Sequence, residues 1–233
     1  MMNTKFFLYL ILLCICPSLF GQNNCSKYYP MEEGATFQYT LYNKKDKVEG
    51  VTDYIISAVE NSGDNTTATM QFTFTDEKGK NIMESDYKIT CTGEGIKIDY
   101  ESLFPTQMKK QYEDMGMEMD ITGTDIEIPN DLSAGQALED ANVNVSMDMG
   151  AMKMKINVDT YDRKVEKEES VTTEAGTFDC YLITEKSKSK VMMSNLETSN
   201  KVWISEGVGM VKQETYGKNG KLMSRMELTK FDK

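Results

Sequence analysis

Apolar residues recur at every second position along most of the chain, and short clusters of Gly, Asn and Asp interrupt them. Such a period points to antiparallel strands rather than helices. Phe37, Tyr39 and Leu41 alternate with Thr36, Gln38 and Thr40 before the chain turns between Lys44 and Gly50. A second strand, Val51 to Glu60, ends at Asn61-Ser62-Gly63-Asp64. The next, Thr66 to Thr75, carries Met70, Phe72 and Phe74 on one face, and Asp76 to Lys80 supplies a Gly-containing hairpin. Ile82 to Thr92 and Ile96 to Tyr100, joined through Gly93-Glu94-Gly95, complete a meander.

The rhythm changes in the middle. Pro105 suits a first helical turn, Met108, Tyr112 and Met115 repeat at helical spacing, and Gly116 can close the helix in the left-handed region, so one short helix is predicted. Alternation resumes through Met117, Met119 and Ile121, then through Ile126 and Ile128 before the connector Pro129-Asn130-Asp131. Further strands are predicted at Ala141 to Met149, Met152 to Val165, Glu169 to Thr173, Phe178 to Glu185, Val202 to Ser205, Met210 to Tyr216 and Leu222 to Phe231. Ala175-Gly176 and Asn219-Gly220 read as hairpin turns. The alternating Lys and Ser of Lys186 to Lys190 and the polar Ser194 to Asn200 read as a solvated loop or mobile lid.

The first residues do not belong to this pattern. Lys5, the apolar run Phe6 to Cys16 and the breaker Pro17-Ser18-Leu19-Phe20-Gly21 form a secretory signal over residues 1–21, too short to anchor as a membrane span. Leu13, Ile15 and Asn24 precede the nearest cysteines, where lipoprotein processing needs a small residue. A periplasmic or secreted mature protein without a transmembrane anchor is therefore expected. Residues 22–233 suit a single all-β domain with minor α, or two sheet-forming halves, 22–116 and 117–233.

Composition narrows the chemistry. The 233 residues carry 26 Lys+Arg against 37 Asp+Glu, and loss of Lys5 makes the balance of −11 one unit more negative. That excess argues against nucleic acid and against anionic membrane surfaces. Histidine is absent, so Ser-His-Asp and Cys-His catalysis and His-containing zinc sites are excluded. Among so many acids, carboxylate pairs arise by chance. Gly207-Val208-Gly209 runs into a strand rather than the helix a phosphate loop requires. No catalytic residue, metal site or cofactor is assigned, and the chain is read as non-enzymatic.

Of the five cysteines, Cys25, Cys91 and Cys180 survive removal of the signal. Pairing Cys25 with Cys91 would tie a loose terminus to a strand end; other pairings, or three free thiols, are the alternatives. Cys180 shares an alternation face with Phe178 and Leu182, as a small core residue would.

Methionine is the unusual count, at 18. Met117 and Met119 alternate with acids, and Met147, Met149, Met152 and Met154 flank Gly150. Such residues can be flexible core filling, the adaptable lining of a hydrophobic site, or soft thioether ligands for Cu(I). Trp203, the lone tryptophan, is either a core residue or the base of such a site.

The run Trp203-Ile204-Ser205-Glu206-Gly207-Val208-Gly209-Met210-Val211-Lys212, followed by Tyr216 to Leu222, resembles the closing strands of an uncharacterised family of secreted or periplasmic domains common in Bacteroidota. The turn Glu174-Ala175-Gly176-Thr177-Phe178-Asp179-Cys180-Tyr181, the entry Cys25 to Pro30 with Gly34, and the strand Ile89-Thr90-Cys91 are similar to the same family. This family is related to the lipoprotein-carrier half-barrel. The resemblance implies a strongly curved antiparallel sheet or half-barrel with an apolar concave face, one short helix and covering loops. In lipoprotein carriers such a face holds acyl chains. The resulting expectation is a non-enzymatic envelope protein that binds a lipid, a lipidated partner or another hydrophobic ligand. Its lining would be Met117, Met119, Ile121, Met147, Met149, Met152, Met154 and Ile156, with Trp203 at the base. The rival readings are a packed structural module that binds an envelope protein, and a Met-rich copper-binding protein.

Overall fold

The computed structural model describes residues 25–101, 106–116, 118–148, 153–191 and 194–233; the signal segment, Met117, Met149 and Met152 lie outside them. The strands in chain order are β1 Thr36–Asn43, β2 Val48–Ser62, β3 Asn65–Asp76, β4 Asn81–Cys91 and β5 Gly95–Ile98. The helix α1, Thr106–Asp114, follows, and then β6 Glu118–Gly123, β7 Ile126–Pro129, β8 Ala141–Asp148 and β9 Lys153–Thr173. β10 Gly176–Val191, β11 Ser194–Ser205, β12 Gly209–Gly217 and β13 Leu222–Asp232 complete the chain. All thirteen strands form one sheet in the order β6-β8-β9-β10-β11-β12-β13-β1-β2-β3-β4-β5-β7. Every pairing is antiparallel, so the all-β, minor-α reading holds.

The order of strands carries a geometric consequence. β6 and β7 lie at opposite ends of the sheet, yet only Thr124 and Asp125 separate them in the chain. Two linking residues reach about 10 Å, so the sheet must curl until its edges meet at that point. Gly123 sits there because a Cβ would come within 2.2 Å of the Asn142 carbonyl and 3.1 Å of the Tyr100 ring. Bulges produce the bend: β9 carries extra residues against β10 near Leu182 and near Glu185, where Asp162 adopts φ 52°. The edges come together without joining in hydrogen-bonded pairs, so the sheet remains open.

Arg163, beside that bulge, fastens the closure. Its side chain is 2% exposed; Nη1 donates to the Glu139 carbonyl at 2.6 Å and to the Glu127 carbonyl, on β7, at 3.2 Å. Its Nε lies 3.4 Å from Glu185 Oε2. One buried cation thus links β9, β10, the β7–β8 connector and the far edge strand.

The core lies on the concave face, and one pole of the sheet is sealed over it. Residues 25–35 cross this pole, and the β7–β8 connector places Leu132 and Leu138 in the same cluster as Tyr28, Val165, Ile183, Val211 and Leu228. Asn130 donates to the Cys25 and Gly93 carbonyls at 2.9 and 3.0 Å, and Gly207 donates its amide to the Lys27 carbonyl at 2.9 Å. The Cys25–Cys91 disulfide pins this strap to β4, with Cα atoms 5.8 Å apart, as the placement of the two residues favoured. Cys180 is free and buried, and burial pushes its thiol up to about 12.

One expectation is overturned. Lys186 to Lys190 and Ser194 to Asn200 form no loop or lid: β10 and β11 continue in unbroken register from Lys186 opposite Ser199 to Val191 opposite Ser194. The Lys-Ser alternation is a two-residue period, with Lys on the outer face and Ser on the inner one. Because both residue types are polar, a hydrophobicity pattern cannot register it.

Candidate ligand-binding face

The second pole of the concave face is not sealed by the strap, and two apolar walls flank it. The first wall is built by strand register. Met119 stands opposite Met147, which stands opposite Met154. One step along, Ile121, Val145 and Ile156 form a parallel row, and Gly123, Val143 and Val158 form a third. Residues two apart share a face, so these rows make one continuous surface across β6, β8 and β9. Met147 is 1% and Val145 4% exposed, while Met119, Ile121, Val143, Met154, Ile156 and Val158 are half-buried.

The second wall comes from the far side of the sheet. Tyr54 pairs with Phe72, Phe72 with Ser85, and Phe74 with Met83, placing these side chains with Leu41 and Tyr87 on the concave face. Their rings pack edge to face: Tyr39 on Tyr54 at 5.6 Å and Tyr54 on Tyr87 at 6.2 Å between centroids, with Phe72 tilted 5.5 Å from Tyr54. Helix α1 lies against β4 and β6 and so spans the gap between the two walls.

Between the walls, the central strands present polar groups at mid-height. Glu185 receives the Arg163 guanidinium on one oxygen and a hydrogen bond from Asn200 Nδ2, 3.3 Å away, on the other. The register places Thr215 and Ser224 beside Asn200. Deeper in the sheet, burial raises the phenols of Tyr29 and Tyr54 to about 12 and those of Tyr39 and Tyr87 well above 10. Tyr39 keeps its proton and donates it to the Met210 carbonyl at 2.7 Å. These groups are poor acids and poor bases at neutral pH.

The structure thus gathers Met119, Ile121, Met147, Met154 and Ile156 on one face. Met117, Met149 and Met152 lie outside the described residues. Trp203 is elsewhere: it pairs with Leu182, on the face of β10 opposite Ile183 and Ser189, so it belongs to the convex side. There its indole donates to Glu169 at 2.8 Å and the Lys212 ammonium lies 5.0 Å from its ring. Both the Lys167 ammonium and this indole hold the Glu169 carboxyl below its usual range. Val143, Val145 and Val158 were not singled out from the sequence, although they follow the same alternation. The aromatic wall was visible in part, as Phe72 and Phe74 on one face, but nothing local links it to the methionine wall.

Among the described residues no three of Cys, Asp and Glu are arranged to hold a metal ion. The in-register thioethers of Met119, Met147 and Met154 are a separate, soft donor set.

A curled, open antiparallel sheet with a half-covered apolar concavity defines the class of protein. The chain belongs to the DUF3108-like family, whose match covers residues 32–228. A Bacteroides fragilis protein described as exported, with a YmcC-like fold, superposes with a TM-score of 0.70 at 19% identity, covering 90% of this chain and 100% of its own. A Parabacteroides distasonis protein described as a lipoprotein gives 0.70 at 25% identity, covering 89% and 99%. A search of the curated proteins finds no match. These matches do not show the relation to the lipoprotein-carrier half-barrel. No helix among the described residues is long and apolar enough to cross a membrane.

Proposed function

We propose that this is an exported, non-enzymatic protein that holds a hydrophobic ligand, a lipid or a lipidated partner, on the open half of its concave face. The observation that carries the reading is the three-row wall of Met, Ile and Val, whose members on β6 and β9 stay half-buried around the covered Met147 and Val145. Ligand burial there contributes about 25 cal/mol for each Å² of apolar surface removed from water, less the cost of ordering. Unbranched thioethers let such a wall fit chains of varying shape. The export signal at residues 1–21 and the exported and lipoprotein descriptions of the structural neighbours support the location.

Native mass spectrometry of residues 22–233, purified without detergent from an exporting host, tests this directly. Discrete added mass that extracts into organic solvent as lipid is expected. Met119→Asp with Met154→Asp should abolish retention and leave the β-type circular dichroism unchanged. A clean apo mass, persisting after incubation with native envelope extract, would favour a packed module that binds a protein partner. A second reading rests on the register of Met119, Met147 and Met154: a trigonal Cu(I) site. Competitive Cu(I) titration decides it, since affinity equal to that of the Met119→Leu, Met154→Leu variant ends the idea.

A further inference from the structure

On the ligand reading above, we infer that the open half of the concave face selects an uncharged lipid whose headgroup carries hydroxyls, as an acylglycerol or a glycosyl lipid does. The strip between the two walls is built of small hydroxyl and amide side chains. Thr160 stands opposite Ser187, which stands opposite Thr198; in the neighbouring row Asn200 pairs with Thr215, and Thr215 with Ser224. Ser189 is opposite Val158 of the methionine wall, while Ser224 lies two residues before Met226, the partner of Leu41. The strip therefore runs from one apolar wall to the other across β9 to β13. All of these polar residues are half-buried, and residues two apart share a face, so their side chains point into the concavity.

The charges around this strip decide the headgroup. In the open half, the inner face of β8 to β13 carries one ionic pair, Glu185 with Arg163. Arg163 is 2% exposed and committed to the Glu127 and Glu139 carbonyls as well. The lysines of β10 point outward, and Lys201, Lys212 and Arg225 lie on the convex face over the rings of Tyr216, Trp203 and Tyr42. A phosphate or carboxylate placed on the strip thus meets no free cation on these strands and faces the Glu185 carboxylate. An ion that loses its hydration without a counter-charge is strongly disfavoured, and a neutral hydroxyl is not. Among the described residues, no other side chain takes up the hydroxyls of Ser187, Ser189, Thr198, Thr215 and Ser224, and each can donate one hydrogen bond and accept two. Polyol and sugar hydroxyls have the same double character, so they match the strip while the attached chains lie along the walls. A purely hydrocarbon ligand would leave these groups desolvated and unpartnered.

Lipid uptake from vesicles tests the proposal. Residues 22–233, stripped of lipid on a hydrophobic resin, are incubated with phosphatidylcholine vesicles carrying equal amounts of dioleoylglycerol, its glucosyl derivative, phosphatidylglycerol or oleic acid. The protein is then separated and its lipid identified by mass spectrometry. Uptake of one or both neutral lipids, at least about tenfold above phosphatidylglycerol and oleic acid, is expected, and their ratio tells a glycerol hydroxyl from a sugar. Thr198→Val with Thr215→Val should lower this loading about tenfold, whereas N-phenylnaphthylamine, an apolar probe without a hydroxyl, should bind as before. Thr198→Lys should add phosphatidylglycerol to the cargo. Equal loading of the anionic lipids, or undiminished loading of the double variant, overturns the headgroup assignment and leaves the ligand reading standing. Probe binding without uptake of either neutral lipid does the same. Neither lipid nor probe bound overturns both. Unchanged circular dichroism and melting temperature show that a loss of binding is not a loss of fold.

Discussion

The two poles of the concave face are built from the same strands by the same alternation, yet they differ in what covers them. At the sealed pole Val165, Val211 and Leu228 are 0% exposed under the strap of residues 25–35 and the β7–β8 connector. At the open pole Leu41, Phe72, Phe74, Ile121, Met154 and Ile156 hold equivalent inward positions and stay half-buried. Apolar alternation along a strand therefore states which face is dry, not how dry it is. The covering segments decide that, and they reach the sealed pole through a disulfide and backbone hydrogen bonds rather than through a strand of the sheet.

The largest test of this contrast removes the seal. Cys25→Ser with Cys91→Ser should cost about 4 kcal/mol, because the bridge closes a long loop in the unfolded chain; denaturant unfolding measures it, with a larger m-value as the unbridged unfolded chain exposes more surface. A loss under about 1 kcal/mol would mean that the strap holds without the bridge. Arg163→Ala follows at about 3 kcal/mol, since the Glu127 and Glu139 carbonyls lose their donor and the half-buried Glu185 carboxylate loses its partner. Arg163→Met should recover packing but not the ties to the Glu127 and Glu139 carbonyls, so opening of the β6–β7 edges by hydrogen exchange separates the two roles.

The comparison is sharpest in a matched pair. Leu228→Ala at the sealed pole should cost about 3 kcal/mol, and Ile156→Ala at the open pole about 1 kcal/mol, because only the first leaves a full cavity. Equal losses would make the open pole an ordinary core. The smallest effect is with pH. The raised phenols of Tyr29, Tyr39, Tyr54 and Tyr87 mean that the unfolded chain loses these protons first, so stability is retained below pH 10 and falls as pH rises through 10 towards 12. Melting temperatures across that range should drop, and less steeply in Tyr54→Phe with Tyr87→Phe.

Much of the fold was legible in the residues. The meander of β1 to β5, the helix stopped beyond its end by Gly116, and the turns at Gly176 and Gly220 all rest on interactions within a few residues. Others were misread for definable reasons. The Lys-Ser pairs of β10 looked like a loop because their alternation is between two polar types, although the two-residue period was present. Trp203 was grouped with the methionines on chemistry alone, and only the pairing with Leu182 shows that it faces the other way.

By itself the sequence determined the strand period and the turns, because each depends on the two-residue repeat of an extended chain and on the residues that interrupt it. The tertiary structure decided that β6 and β7 are the two edges and that Arg163 ties them. It also set the aromatic wall across from the methionine wall. Those relations depend on strand order and curvature, which are set by pairings between residues far apart in the chain, and no local pattern records them.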